Sequence, residues 1–141
     1  MRVATLKHAH HNLRLDDDTT DSGRHRLAGA KQVAVVSSQR WAIITENAEE
    51  DELDFNAALK KLDACDLVIV EGYKKQPIPK IEVRRQQAAS QESLAVKDPH
   101  VIAIATDSVS TNAPGSLPEF QLDDVASVAD FITDTLRLGA K

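Results

Sequence analysis

Cysteine is almost missing from this chain: Cys65 stands alone among 141 residues. That excludes an intrachain disulfide and any cluster of cysteine ligands around a metal. A chain so poor in cysteine suits a reducing compartment, and the expected location is cytoplasmic. Aromatic side chains are scarce as well, at 4% with one Trp and one Tyr, so the core must be built mainly from aliphatic groups. Long apolar runs are lacking. Val101–Ala105 is the longest and runs such as Leu67–Val70 are shorter still, so all fall far short of the ~20 residues that span a bilayer. Met1–Lys7 has neither the apolar stretch nor the cleavage site of a secretory signal. Excess positive charge is absent too. Seventeen Lys and Arg against twenty-two Asp and Glu leave a net charge of -5, which argues against general attraction to nucleic acid or to an anionic membrane. An anionic ligand therefore requires a local site.

What is present suits one soluble domain over residues 1–141: 42% of side chains are hydrophobic and 28% charged. A domain of this size buries roughly two-thirds of the surface its unfolded chain exposes. Arg2–Leu6 is β-prone and leads into a polar loop from His8 to Asp21. Asp21 or Ser22 can cap a short helix running to about Ala28, closed by Gly29. Gln32–Ser37 and Arg40–Glu46 form two strands around Ser37-Ser38-Gln39, a hairpin. From Glu49, acidic residues followed by Leu53, Ala57, Leu59 and Leu62, with Lys60 and Lys61 near the end, suit an amphipathic helix and its dipole.

Leu67–Glu71 is a continuous apolar run ending in a carboxylate, the pattern of a central parallel strand buried on both faces. Gly72–Pro79 must be largely loop, and Lys80–Arg84 alternates as a half-exposed strand does. The polar stretch Gln86–Asp98 gives no clear pattern. Val101–Ala105 is a second buried strand, Ser108–Pro118 a loop, and Val125, Val128, Phe131, Ile132 and Leu136 share one face of a final helix. Strands alternating with helices define an α/β layer fold.

Glu71 carries the clearest chemical signal. Ligands of open α/β sheets bind at the carboxyl ends of strands, where Glu71 and Gly72 sit. There Glu71 can hold Mg²⁺ through water or orient an attacking water, or it can simply cap the next turn. Asp66 lies at the opposite end of that strand, ~16 Å away, and is the poorer candidate. Lys7 is a candidate phosphate contact. His8 and His10 face one way if the strand persists, able to share a metal or a phosphate, though a metal needs more ligands than this spacing offers. Asp16-Asp17-Asp18 can add oxygen ligands or be a solvated turn. Asp21-Ser22-Gly23-Arg24 combines a helix start with local positive charge, a possible anion contact or a plain surface helix. Lys74 and Lys75 follow Gly72 and can close over phosphates or lie in solvent. Asp107 ends the second buried strand, where a carboxylate can accept two N–H bonds from a guanine edge or cap a turn. Cys65 and Trp41 read as packing residues.

Several ordered segments taken together carry a resemblance: Arg2–His11, Asp21-Ser22-x-Arg24-His25-x-x-Ala28-Gly29-Ala30, Gln39–Ala42, Leu67–Lys74 and Pro79–Val83. The chain resembles the molybdopterin-guanine dinucleotide biosynthesis adaptor proteins, the MobB family, and the likeness continues through Val101–Asp107 and the final helix. The resemblance implies a three-layer P-loop NTPase-like α/β fold, a mostly parallel sheet with an added β-hairpin. It also implies GTP and Mg²⁺ as cofactors, weak GTPase activity, a homodimer, and assistance to the molybdenum cofactor guanylyltransferase that joins GMP to molybdopterin. Glu71 would be the catalytic and metal-holding carboxylate, with Lys7, His8, His10, Asp21, Arg24, Gly72, Lys74 and Asp107 around the ligand. The alternative is a non-hydrolysing module that docks on the guanylyltransferase or on a molybdoenzyme and holds the anionic molybdopterin cofactor. A metal carrier using His8 and His10 is a third reading.

The family's opening strand, its G-x-x-x-x-G-K-[ST] loop and the helix after it have no counterpart in these 141 residues. That loop supplies the backbone N–H cradle, the phosphate lysine and the Mg²⁺ hydroxyl. The chain begins at what corresponds to the family's second strand. The favoured expectation is that the true start lies upstream of Met1, the alternative being loss of the loop. An in-frame phosphate-loop motif within about 120 nucleotides upstream of the start codon is the result expected from reading the gene, and its absence favours loss.

Overall fold

Short apolar strands separated by polar, capped turns dictate the architecture, seen in a computed structural model that describes residues 1–9, 15–47, 53–88, 92–108, 115 and 117–139. His10 lies outside the described residues. The backbone packs as two compact units, Arg2–Tyr73 and the chain from Lys74 onward.

In the first unit, β1 (Val3–Lys7) pairs in parallel with β4 (Leu67–Glu71), Val3 opposite Leu67 and Lys7 opposite Glu71. The strands are locked at their amino ends by Asp66, whose Oδ2 accepts the Arg2 N–H at 2.5 Å while its own N–H donates to the Arg2 carbonyl. That fastening explains Asp66 without a ligand. The expected burial of the Leu67–Val70 run on both faces is not found within this unit. Val3 and Ile69, on the same face, remain 47% and 48% exposed, and among the described residues β4 has β1 as its single strand neighbour.

Helix α1 (Asp21–Leu27) is capped by Thr20 rather than by Asp21 or Ser22: the Thr20 Oγ1 accepts the Gly23 N–H at 3.1 Å. Gly23 is buried so tightly that an added Cβ would lie 2.1 Å from the Asp17 carbonyl oxygen. Arg26 ties the helix to Asp18 at 2.5 Å and to Glu46 at 3.7 Å, joining it to the end of the hairpin. That hairpin, β2 (Gln32–Val36) and β3 (Trp41–Thr45), is antiparallel and closed by Ser37, whose Oγ accepts the Arg40 N–H and donates to the Arg40 carbonyl. Trp41 does not pack into a core: it is 67% exposed beside its register partner Val36. Of the helix expected from Glu49, the described residues hold α2 (Phe55–Leu59), capped by Asp54, which accepts the Ala57 N–H; residues 48–52 lie outside the described part. Phe55 and Ala58, three apart, give its buried face.

The second unit holds a parallel sheet in the order β5 (Lys80–Arg84), β6 (Val101–Thr106), β7 (Glu119–Gln121). The expected burial of Val101–Ala105 is found: β6 has a strand on each side, and Ala103 and Ile104 are fully buried. β7 was hidden in the sequence by its length of three residues and its polar ends. Helix α3 (Val125–Thr135) is capped by Asp124 onto the Ser127 N–H and packs Phe131 on Phe120 at 5.3 Å.

The crossover between β5 and β6 is held by charge. Glu82, 8% exposed, accepts from the Leu94 and Ala95 N–H groups and the Ser93 hydroxyl at 2.8–3.0 Å, satisfying the start of a short 3-10 helix, Leu94–Val96. Two residues away on the same face, Lys80 donates to the Gln76 carbonyl at 2.5 Å and pairs with Asp98 at 2.9 Å. The other Asp98 oxygen accepts from both the backbone and the ring Nδ1 of His100. The Lys80 ammonium, then the His100 N–H groups, hold the Asp98 carboxyl down at about 2, against an ordinary value of 3.8.

A carboxyl whose folded value is depressed contributes stability above its ordinary value and loses it as pH falls toward the folded one. Urea unfolding of Asp98→Asn should therefore show a smaller loss of stability than the parent between about pH 4 and about pH 2. Glu82→Ala, which leaves two backbone N–H groups without their carboxylate, should cost about 2–3 kcal/mol at neutral pH in the same measurement.

Candidate functional site

The in-register parallel pairing of β1 and β4 places their last side chains, Lys7 and Glu71, on one face at the carboxyl end. The Lys7 Nζ lies 3.0 Å from Glu71 Oε1, and both side chains are largely exposed, at 64% and 70%. The ladder runs one step further, the His8 N–H donating to the Glu71 carbonyl at 2.9 Å.

After Glu71 the chain turns sharply. Gly72 sits at φ +88, and an added Cβ would lie 2.9 Å from the His8 Cβ. Glycine is required there for its conformation and for the close approach. Tyr73 follows at φ 47, a left-handed geometry that costs a non-glycine residue free energy. Its ring offsets that cost by stacking on His8 at 4.4 Å and tilting onto Phe55 at 5.1 Å. The Tyr73 hydroxyl points to the Leu53 carbonyl at 3.5 Å, the long limit of a hydrogen bond. Two of the few aromatic side chains are thus spent on holding the turn beside Glu71. Sequence reasoning missed Phe55 and Tyr73; the placement of the single tyrosine directly after Glu71-Gly72 was the available signal.

Lys7, His8, Glu71 and Gly72 are brought together in one unit. Asp21 and Arg24 are exposed on α1, in the same unit. The turn before α1 is acidic: Asp17 Oδ1 accepts the Thr19 N–H and hydroxyl, and Asp16 Oδ1 accepts the Thr20 hydroxyl at 2.7 Å. Hydrogen bonds from Ser22, then Thr20, lower the Asp16 carboxyl, and the Thr19 backbone N–H lowers that of Asp17. A surface depression is lined by Leu15, Asp16, Asp17 and Asp18. Its negative lining disfavours phosphate, and among the described residues no group of three or more His, Cys, Asp or Glu comes together to hold a metal.

Lys74 and Asp107 belong to the second unit. Lys74 is exposed in the turn after Tyr73. Asp107, just past β6, uses Oδ1 to accept the Gln86 N–H at 2.8 Å, so part of its accepting capacity serves to fasten the end of β5. Octahedral Mg²⁺ keeps several waters and takes one or two protein carboxylates. Glu71 fits that role as a single exposed carboxylate at a strand end. No G-x-x-x-x-G-K-[ST] motif occurs in these 141 residues.

Parallel strands with crossovers, an added hairpin and a carboxylate at a strand's carboxyl end define an α/β protein of the P-loop NTPase-like class. Solved MobB structures share this fold. That of Bacillus subtilis MobB matches with a TM-score of 0.66 at 24% identity, covering 100% of this chain and 81% of that one. A MobB homologue from Bacillus stearothermophilus matches at 0.64 and 25% identity, covering 96% and 78%. The chain belongs to the MobB family, molybdopterin guanine dinucleotide synthesis protein B, whose family model matches residues 1–107. It is 38% identical over 139 residues to the molybdopterin-guanine dinucleotide biosynthesis adapter proteins of Escherichia coli (strain K12) and Haemophilus influenzae. Those alignments cover 97% of this chain and 78% and 74% of the two relatives.

Gly72→Ala combines a strained φ with a clash against His8 and should destabilise the chain by about 1–3 kcal/mol in thermal or denaturant unfolding. The upfield ring-current shift of the His8 imidazole protons over Tyr73 should diminish in the same variant, checked by NMR.

Proposed function

We propose that this chain is an accessory protein in the formation of molybdopterin guanine dinucleotide from molybdopterin and GTP, acting in the cytoplasm on the molybdenum cofactor guanylyltransferase. Family membership supports the pathway. The observation that carries the site is the Lys7–Glu71 pair at the carboxyl ends of two parallel strands, where α/β proteins bind ligands. On this reading Lys7 and the N–H groups near Gly72, in the first unit, meet anionic groups of nucleotide or cofactor, and Glu71 faces Mg²⁺ through water. Lys74 and Asp107, in the second unit, are separate proposed contacts, the one for an anion and the other for a guanine edge. His8 serves mainly to seat Tyr73.

The second reading is a docking module that hydrolyses nothing, supported by the exposed cationic side chains of Lys7 and Arg24 in the first unit. Lys7, His8, His10 and Arg24 then hold the anionic molybdopterin cofactor without turnover. The polypeptide as it stands should bind GTP weakly or not at all and hydrolyse none. Titration of a fluorescent guanine nucleotide with Mg²⁺ checks this, and micromolar affinity refutes it. Pull-down with the guanylyltransferase in nucleotide-free buffer separates the readings: capture indifferent to GTP supports the module, and capture that requires GTP supports the nucleotide-dependent accessory role.

Assembly as a homodimer belongs to the same proposal. A two-stranded hairpin is marginal alone in water, yet β2–β3 exposes Val36 at 77%, Trp41 at 67% and Ile43 at 51%. Burying these against a second copy would remove the exposure. Trp41→Glu with Ile43→Lys should shift sedimentation from dimer to monomer while leaving the far-UV circular dichroism unchanged; an unchanged dimer would place the contact elsewhere.

A further inference from the structure

Lys7 stands where a cation at Glu71 would stand. Its ammonium lies 3.0 Å from Glu71 Oε1, and a divalent ion directed to that oxygen meets the same lone pairs. The two cations compete for that oxygen and repel each other. We propose that Lys7 is an internal counter-ion that keeps Glu71 closed to divalent cations until an anion draws the lysine away, a proposal that rests on the reading of Glu71 as the cation-facing carboxylate.

Three features support an exchangeable pair. Both side chains are about two-thirds exposed, so water screens the attraction and competing ions reach it. The carboxylate stands on fixed backbone: Glu71 is paired to Lys7 in the strand ladder, its carbonyl accepts the His8 N–H, and the Gly72-Tyr73 turn behind it is pinned by His8 and Phe55. Lysine, in contrast, carries its charge on a flexible four-carbon stem. Separating the pair therefore requires a swing of the lysine side chain and no movement of the strands.

The consequence is coupling between two ligands of opposite charge. An anion that takes Lys7 leaves Glu71 without a counter-charge and raises its affinity for a divalent cation. By linkage, a cation on Glu71 raises the affinity of Lys7 for the anion equally. The pair thus selects for an anion and a metal arriving together.

Mn²⁺ binding, followed by electron paramagnetic resonance at low ionic strength, tests the proposal with the metal alone. Lys7→Met removes a unit positive charge about 4 Å from a doubly charged ion and should tighten Mn²⁺ about thirtyfold at water-like screening. Lys7→Gln should reproduce the gain, and adding Glu71→Gln to Lys7→Met should abolish it. Circular dichroism verifies that each variant is folded. Equal Mn²⁺ affinity with and without Lys7, lost on Glu71→Gln, overturns the counter-ion role while the cation reading of Glu71 stands. Absence of Glu71-dependent Mn²⁺ binding in every variant overturns both.

Discussion

The parallel, in-register pairing of β1 with β4 is the constraint on which the candidate site depends. It is fastened at the amino ends by Asp66 on Arg2 and extended at the carboxyl ends by His8 on the Glu71 carbonyl. A one-residue slip would send Lys7 and Glu71 to opposite faces, because side chains alternate with a period of two. With the register held, the two charges meet without help from a buried pocket. The strained Gly72-Tyr73 turn then ends the strand abruptly, so that the carboxylate stands at the rim of the sheet.

The second unit uses charge differently. Lys80, half-buried, and Glu82, buried, lie two residues apart on one face of β5, yet neither is unsatisfied: carbonyls and Asp98 surround the first, and N–H groups and a hydroxyl the second. Removing one partner of such a set leaves a desolvated charge or orphan donors, which is far more costly than losing an exposed ion pair. These side chains fix the crossover and the loop before β5. The exposed Lys7–Glu71 pair contributes little to stability and is correspondingly free to exchange partners. The same ion-pair chemistry is structural where it is buried and available for binding where it is exposed.

Much of this was legible in the sequence. The strands Leu67–Glu71 and Lys80–Arg84 and the helix over Val125–Thr135 stand where apolar runs, alternation and one-sided periodicity place them. Ordered motifs from Arg2 to Asp107 were specific enough to give the family. Other features depend on partners that local pattern does not encode. An unbroken apolar run predicts burial, but whether Ile69 is covered depends on how many elements flank β4. Trp41 is apolar enough for a core and still lies open on the hairpin. The His8–Tyr73–Phe55 stack joins three distant points of the chain. Asp98, within a stretch without pattern, acquires its role only when Lys80 and His100 reach it.

The anion-facing surface proposed for this MobB-family chain lies at the ends of β1 and β4. Titration of the ¹⁵N-labelled protein with inorganic pyrophosphate, followed residue by residue in the amide spectrum, tests that placement most directly. The account predicts that the amides of His8, Glu71 and Gly72 move together and saturate, with the Lys7 side chain responding at the same concentration. Saturating shifts centred on Thr20–Arg24, or a spectrum that pyrophosphate leaves unchanged, would contradict it.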